Sequence, residues 1–220
     1  MSLLSAYNQK KKTVPELLSL LQDGDYILSA QALAEPVILL EQFPLLHQWG
    51  RKNLVFNSCM PVRDLAWYHD PAMRETLEHV CWFFSPPARK AHQEGLCSFL
   101  PGYSTNLVRK TFQQLRSQGR RPVLLATASP MDAERNFSLS ISALFEREII
   151  DNGALVLLEV SSRYPRTHGD TTLPLSAVTA FVETDRPVPE MPKTTLRPVD
   201  QAIGTRIAEL IPDGSTPVSY

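Results

Sequence analysis

Short apolar runs alternate along the chain with stretches whose apolar positions recur every three or four residues, the alternation that marks an α/β domain. Thr13-Val14-Pro15-Glu16 has the form of a helix start, with Thr13 as cap and Glu16 completing a capping box. Leu17, Leu18, Leu20 and Leu21 supply the apolar face of that helix, and Asp23-Gly24-Asp25 ends it. Tyr26 to Ala30 reads as a strand. A helix is predicted from Pro36, with Val37, Ile38, Leu40 and Leu46 inward and Pro44 kinking or ending it. Asn53–Phe56 and Val80–Phe84 are bounded apolar runs of the buried-strand type, whereas Met60 to Thr76 between them has no period.

Leu107, Val108, Thr111, Phe112 and Leu115 predict a helix closing at Gly119, and Pro122–Ala128 a strand after it. Ile141, Leu144, Phe145 and Ile149 predict another helix, stopped by Asn152-Gly153. Ala154–Val160 is a continuous apolar run, as found at the centre of a parallel sheet. The expected fold class is therefore α/β, a mostly parallel sheet flanked by helices. Near Thr184 the composition changes: Pro187, Pro189, Pro192 and Pro198 interrupt a polar segment. The expected organisation is an α/β domain over 1–183, a Pro-rich connector over 184–199, and a last helix in 200–220. Asp200 is read as the cap of that helix, and Ile203, Ile207, Leu210 and Ile211 as one of its faces.

Composition narrows the function classes. Twenty-two basic against 23 acidic side chains give a formal charge of -1, so no global field draws the chain to nucleic acid or to a membrane surface. The basic runs Lys10–Lys12 and Arg120-Arg121 are short and read as solvated helix ends. No stretch approaches the roughly 18 apolar residues of a membrane span. Met1–Ala6 lacks the form of a signal peptide. Three widely spaced cysteines, Cys59, Cys81 and Cys97, fit a reduced, cytoplasmic compartment.

The common chemical signatures are missing: no GxGxxG, no GxxxxGK[ST], no GxSxG, and among five histidines no HxH or HExxH. No metal is expected. His69-Asp70 reads as a capping or surface pair, and Cys59 as a buried structural thiol rather than a nucleophile.

Longer segments carry more. Ala128-Ser129-Pro130-Met131-Asp132 with Phe137-Ser138-Leu139 resembles the SPMD…FSLG segment of the acetyl-CoA hydrolase/CoA-transferase family. Leu158-Glu159-Val160 with Pro165-Arg166-Thr167-His168-Gly169-Asp170 is similar to that family's EVN…PRxxGD segment. Gln22–Asp25 and Glu35-Pro36 resemble its first loop, Leu100–Ser104 the segment before its middle helix, and Ile207–Ser215 its IPDGS turn. The matches run in family order from about residue 7 to residue 216. The sparse glycine from Ser29 to Pro36 is most similar to the branch acting on 4-hydroxybutyryl, butyryl or itaconyl groups.

The resemblance implies two similar α/β halves with the active site in the cleft between them, in a homo-oligomer. It implies exchange of coenzyme A, a substrate rather than a tightly bound cofactor, between an acyl-CoA and a small carboxylic acid such as acetate, butyrate or itaconate. A glutamate carboxylate would attack the acyl-CoA and pass through an anhydride to a glutamyl-CoA thioester, splitting one hard exchange into easier steps. This sequence matches the first half only. Pro217-Val218-Ser219-Tyr220 stands where the family continues QxGIGxxP into its second half. The nucleophile's role therefore falls on no glutamate here, and the expected partner is a C-terminal half of the same enzyme.

Residues 200–220 become, on this view, the helix joining the halves. The substrate and CoA contacts implied are Gln31, Glu35, Ser104, Ser129, Met131 and Asp132, loop residues at strand ends. Each has a plainer reading: Ser129–Asp132 as a turn with Asp132 as its cap, and Ser104 as a helix N-cap. Glu159 reads as a hydrogen-bonding residue at a strand end. Arg135 replaces a glycine of the family and Ser161 an asparagine. The alternative to an enzyme half is a non-catalytic CoA-binding or dimerisation module.

Overall fold

The structure, a computed structural model, describes residues 3–141, 143–190 and 195–216. Of these, the residues up to Val188 form one compact unit, and those beyond form a second, small one.

The first unit opens with helices α1 (Leu3–Lys10) and α2 (Val14–Leu18). The capping box of α2 is present as expected: Thr13 Oγ1 accepts from the Glu16 amide at 3.4 Å, and Glu16 Oε2 from the Thr13 amide at 2.8 Å. Strand β1 (Tyr26–Ser29) follows, then α3 (Val37–Glu41) and α4 (Pro44–Gln48). The helix predicted from Pro36 is divided at Pro44 as expected, because Pro44 has no amide to donate and starts a new helix.

Strands β2 (Leu54–Ser58), β3 (Leu77–Cys81) and β4 (Ser98–Phe99) come next, with α5 (Pro86–Gln93) before β4. The aperiodic stretch from Met60 holds two 3₁₀ turns, Ala66–His69 and Pro71–Glu75. Asp70 caps the second by accepting from the Ala72 amide, and His69 sits between Asp64 and Glu94, so this pair has the capping and surface role expected of it.

Helix α6 (Ser104–Gln118) closes at Gly119 in the left-handed conformation that favours glycine. Then come β5 (Pro122–Ala128), β6 (Asn136–Ser138), α7 (Glu146–Asp151), β7 (Leu155–Ser161), β8 (Thr172–Pro174) and β9 (Ala180–Thr184). Helix α7 starts at Glu146 rather than near Ile141, because residues before it are tied to other partners: Ser140 carries a positive φ and Leu139 donates to Thr171 O.

Seven strands form one parallel sheet in the order β4-β3-β2-β1-β5-β7-β9, and β6 and β8 pair antiparallel beside it. Alternate side chains of each strand enter opposite cores. Ile27, Phe56, Val123, Leu125 and Leu157 pack under α2 to α5 on one face. Leu28, Val55, Leu124, Ala126 and Leu158 pack under α6 and α7 on the other. Helices on both faces explain why the strands read as unbroken apolar runs.

Arg120-Arg121 is not a solvated helix end. Both guanidinium groups turn back onto the framework at the amino end of the sheet: Arg121 pairs with buried Asp25 at 2.7 Å, and Arg120 donates to the Gly24 and Asn53 carbonyls. A cavity of about 550 Å³ opens there, but these bonds occupy its cations. The second unit holds α8 (Pro198–Ala208). Its cap is Arg197 rather than Asp200; Asp200 lies three residues on, and its carboxylate accepts from the Arg197 amide. No helix among the described residues is long and apolar enough to cross a membrane.

Candidate functional site

The strand order reverses direction between β1 and β5: the chain works outward from β1 to β4 on one side and from β5 to β9 on the other. The loops leaving these neighbours at their carboxyl ends diverge, opening the crevice where parallel α/β sheets take ligands. Gln31 and Glu35 lie in the loop after β1; Ser129, Met131 and Asp132 lie in the loop after β5. The fold thus brings five of the six expected residues to one end of two adjacent strands. Ser104 stands apart. It is exposed and is the first residue of α6, whose cap is Tyr103.

The β1 loop contains no helix of more than one turn and bends through a positive φ at Ala32. Its backbone groups are satisfied by neighbours instead. The Ala32 amide donates to Cys59 O. The carbonyls of Leu33, Ala34 and Glu35 accept from Tyr164 Oη (3.3 Å), Thr127 Oγ1 (3.0 Å) and Arg186 Nη2 (3.1 Å). The Ile38 amide donates to Glu159 Oε2 at 3.1 Å. Partners from β5, β7 and the segments after β2, β7 and β9 therefore fix one short loop in place, as a preorganised site requires.

Two buried carboxylates, Glu159 and Glu146, flank this loop, and a third, Glu35, lies in it. Glu159 is fully buried and pairs with Arg186, Nε to Oε1, at 2.6 Å. Burial raises its proton affinity, and the Arg186 hydrogen bond pulls it back. Glu146 begins α7; burial raises it too, opposed by amides of its own turn and by that of Gln31. Glu35 is 2% exposed, and burial raises it to about 7 against the Val62 and Arg63 amides and the charges of Arg186 and Arg63. Its Oε2 accepts from the Val62 amide at 2.9 Å, whereas its buried Oε1 has no partner.

In the β5 loop, Ser129 is buried; its amide donates to Ser138 O and its hydroxyl has no partner. Met131 packs half-buried against the core beneath. Asp132 spends both carboxylate oxygens on the frame of the turn, accepting from the Asn136 amide at 2.7 Å and from Arg166. Burial pushes the Cys59 thiol up to about 12, and its Sγ faces Gln31 Oε1 at 3.6 Å, the inert buried thiol expected.

The two departures from the family pattern now have a physical reading. Arg135 has φ 70, so glycine suits that position for backbone reasons. Its carbonyl accepts from Leu175, which locks the turn. A left-handed non-glycine residue costs about 1–2 kcal/mol, and glycine gives back roughly half of that in chain entropy. Arg135→Gly is therefore expected to raise stability by about 0.5–1 kcal/mol in a denaturant titration; a lower midpoint would contradict the strain. Ser161 is buried and donates to Arg186 O at 2.6 Å, holding the segment that carries the buried cation.

Sequence reasoning missed Glu146, Tyr164, Thr127 and Arg186. Arg186 falls in the segment read as connector, and no local pattern announces that a polar residue there returns to the sheet.

The profile of the acetyl-CoA hydrolase/transferase N-terminal domain matches residues 1–192. A doubly wound parallel domain with its loops gathered at a β1/β5 switch point is the class that fold and site define, and the chain belongs to the acetyl-CoA hydrolase/transferase family. It is 28% identical over 95% of its length to a succinyl-CoA:cyclohexane-1-carboxylate CoA transferase of Geobacter metallireducens, of which it covers 46%. It is 25% identical over 96% of its length to a 4-hydroxybutyrate coenzyme A transferase of Clostridium kluyveri, of which it covers 48%. The crystal structure of RipA from Yersinia pestis superposes over 98% of this chain and 51% of that one, with a TM-score of 0.88 at 23% identity, a likeness of fold. The chain spans about half the length of the curated relatives it matches.

Proposed function

We propose that this chain supplies the N-terminal half of a CoA-transferase that moves coenzyme A between an acyl-CoA thioester and a free carboxylic acid through a glutamyl-CoA intermediate. The observation that carries the reading is the match of nearly the whole chain to about half the length of relatives named as CoA transferases, together with the N-terminal-domain profile of the family. Coenzyme A is then a substrate, and the acids in view are acetate, butyrate, itaconate and the cyclohexane-carboxylate and 4-hydroxybutyrate classes of those relatives. Gln31, Glu35, Ser129, Met131 and Asp132 would form the wall this half contributes, with Ser104 at its margin.

None of the three glutamates at the crevice suits the nucleophile. Glu159 is paired with Arg186, Glu146 is buried and accepts from the Phe145 amide, and Glu35 is buried with a raised proton affinity, whereas a nucleophilic carboxylate has to be ionised and reachable. The reading therefore places the nucleophile on a C-terminal half. The loops at the carboxyl end expose Met60, Val62, Phe83, Tyr103 and Leu144, and Phe99 at the end of β4 adds to them, an apolar rim suited to a second domain closing over the crevice.

The purified 220-residue chain is expected to show no exchange of CoA between acetyl-CoA or butyryl-CoA and acetate, butyrate or itaconate. Turnover by this chain alone would refute the assignment of the nucleophile.

A further inference from the structure

Both ring nitrogens of His69 meet a carboxylate. Nε2 stands 2.6 Å from Asp64 Oδ1, and Nδ1 is hydrogen-bonded to Glu94 Oε2. A neutral imidazole has one N–H and one lone pair, so it serves only one of two such acceptors and turns its lone pair on the other. The imidazolium has an N–H on each side and satisfies both with charge-assisted bonds. The geometry is therefore that of the protonated ring. The hydrogen bond to Asp64 first, and that to Glu94 after it, raise the proton affinity of His69 against the opposing effect of burial.

The charged groups around the ring have other engagements. Lys90 of α5, whose like charge opposes the imidazolium, reaches the second Asp64 oxygen, Oδ2, at 3.6 Å. Asp70 accepts from the Ala72 amide, Arg74 donates to Gly95 O at 2.7 Å, and His92 Nδ1 lies 2.7 Å from Cys97 O. Arg63, Glu75 and Arg89 are exposed to solvent.

The ring joins two segments that no strand pairing connects. Asp64 belongs to the loop after β2, and Glu94 is the C-cap of α5. That loop in turn holds the β1 loop at the crevice: Cys59 O accepts from the Ala32 amide, and the Val62 amide donates to Glu35 Oε2 at 2.9 Å. We propose that His69 is a proton-operated clamp, which as imidazolium ties the loop after β2 to the end of α5 and on losing its proton releases one of the two carboxylates. The clamped state is complete below pH 6.5, the ordinary value for histidine, and is lost as pH rises through the raised value of the clamped ring. The crevice wall is then more mobile in alkaline than in neutral solution, whichever acid the complete site takes.

Nuclear magnetic resonance of the intact 220-residue chain tests both parts. The His69 ring nitrogens are expected to titrate with a midpoint above 6.5, and the D64N/E94Q variant to bring that midpoint down to 6.5 or lower. A wild-type midpoint at or below 6.5 would overturn the imidazolium. The clamp is read from the protection factors of two amides, Tyr68, bonded to Leu65 O, and Gly95, bonded to His92 O. Neither amide is bonded to Glu35, which titrates in the same range. Because the cluster is half-exposed, their protection is expected to fall by about two- to fivefold between pH 6 and 8.5. In H69Q, whose side chain carries no titrating proton, the step should vanish. No step in wild type, or an equal step in H69Q, would overturn the clamp.

Discussion

Acidification from pH 6.5 towards 3 is expected to remove up to about 5 kcal/mol of stability through His79 alone. His79 lies in β3, 4% exposed, stacked on the ring of Tyr68 at 4.6 Å with Ser58 Oγ at 2.9 Å from Nε2 and no partner for Nδ1. Burial lowers its pKa from 6.5 to about 3. The unfolded chain then binds the proton that the folded core refuses. The contribution is complete above pH 6.5 and lost as pH falls through the window to about 3. Glu35 acts in the opposite sense, because its folded pKa is raised from 4.5 to about 7. Its contribution is complete below 4.5 and lost as pH rises through 7, about 3 kcal/mol in all. Between 4.5 and 6.5 the two slopes oppose each other, so wild-type stability should be nearly flat there and fall on both sides. Urea midpoints across pH 3–8 check this. His79→Phe should abolish the acid limb, and an acid limb unchanged in that variant would show that other groups cause it.

Arg186→Met is expected to destabilise the protein by about 3–5 kcal/mol, since it leaves the buried Glu159 carboxylate unpaired. The same change removes the donor to Glu35 O and to Tyr164 Oη, so the β1 loop loosens as well. Removing both charges, in Arg186→Met with Glu159→Gln, should recover much of the loss, because a buried amide costs far less than a buried ion. Chemical denaturation of the single and double variants measures this directly. A single variant within about 1 kcal/mol of wild type would mean that water reaches Glu159 and that the pair is not sealed in the fold.

Much of the architecture was legible because it rests on local physics. The Thr13/Glu16 box, the stop at Gly119 and the continuous apolar strands each satisfy rules that operate over a few residues, and each appears where the sequence puts it. A misplaced boundary, the late start of α7, falls where tertiary hydrogen bonds override periodicity. Within the site, motif likeness pointed to the β1 and β5 loops. It was silent on Glu146, Tyr164 and Arg186, whose importance comes from burial around a loop far from them in sequence.

The sequence by itself determined the α/β class, the Thr13 cap and the Gly119 stop, the alternation that feeds two cores, and the family, because propensity, period and motif order are properties of the chain as written. Only the tertiary structure decided that β1 and β5 are neighbours with loops opening one crevice, since strand order is fixed by crossovers that no local window contains. It alone showed that Arg135 stands at a left-handed position, that Arg186 is spent on Glu159, and that Glu35 keeps an unpaired oxygen. Dielectric environment and hydrogen-bond partnership are properties of a packed neighbourhood, and a neighbourhood exists only once the chain has folded.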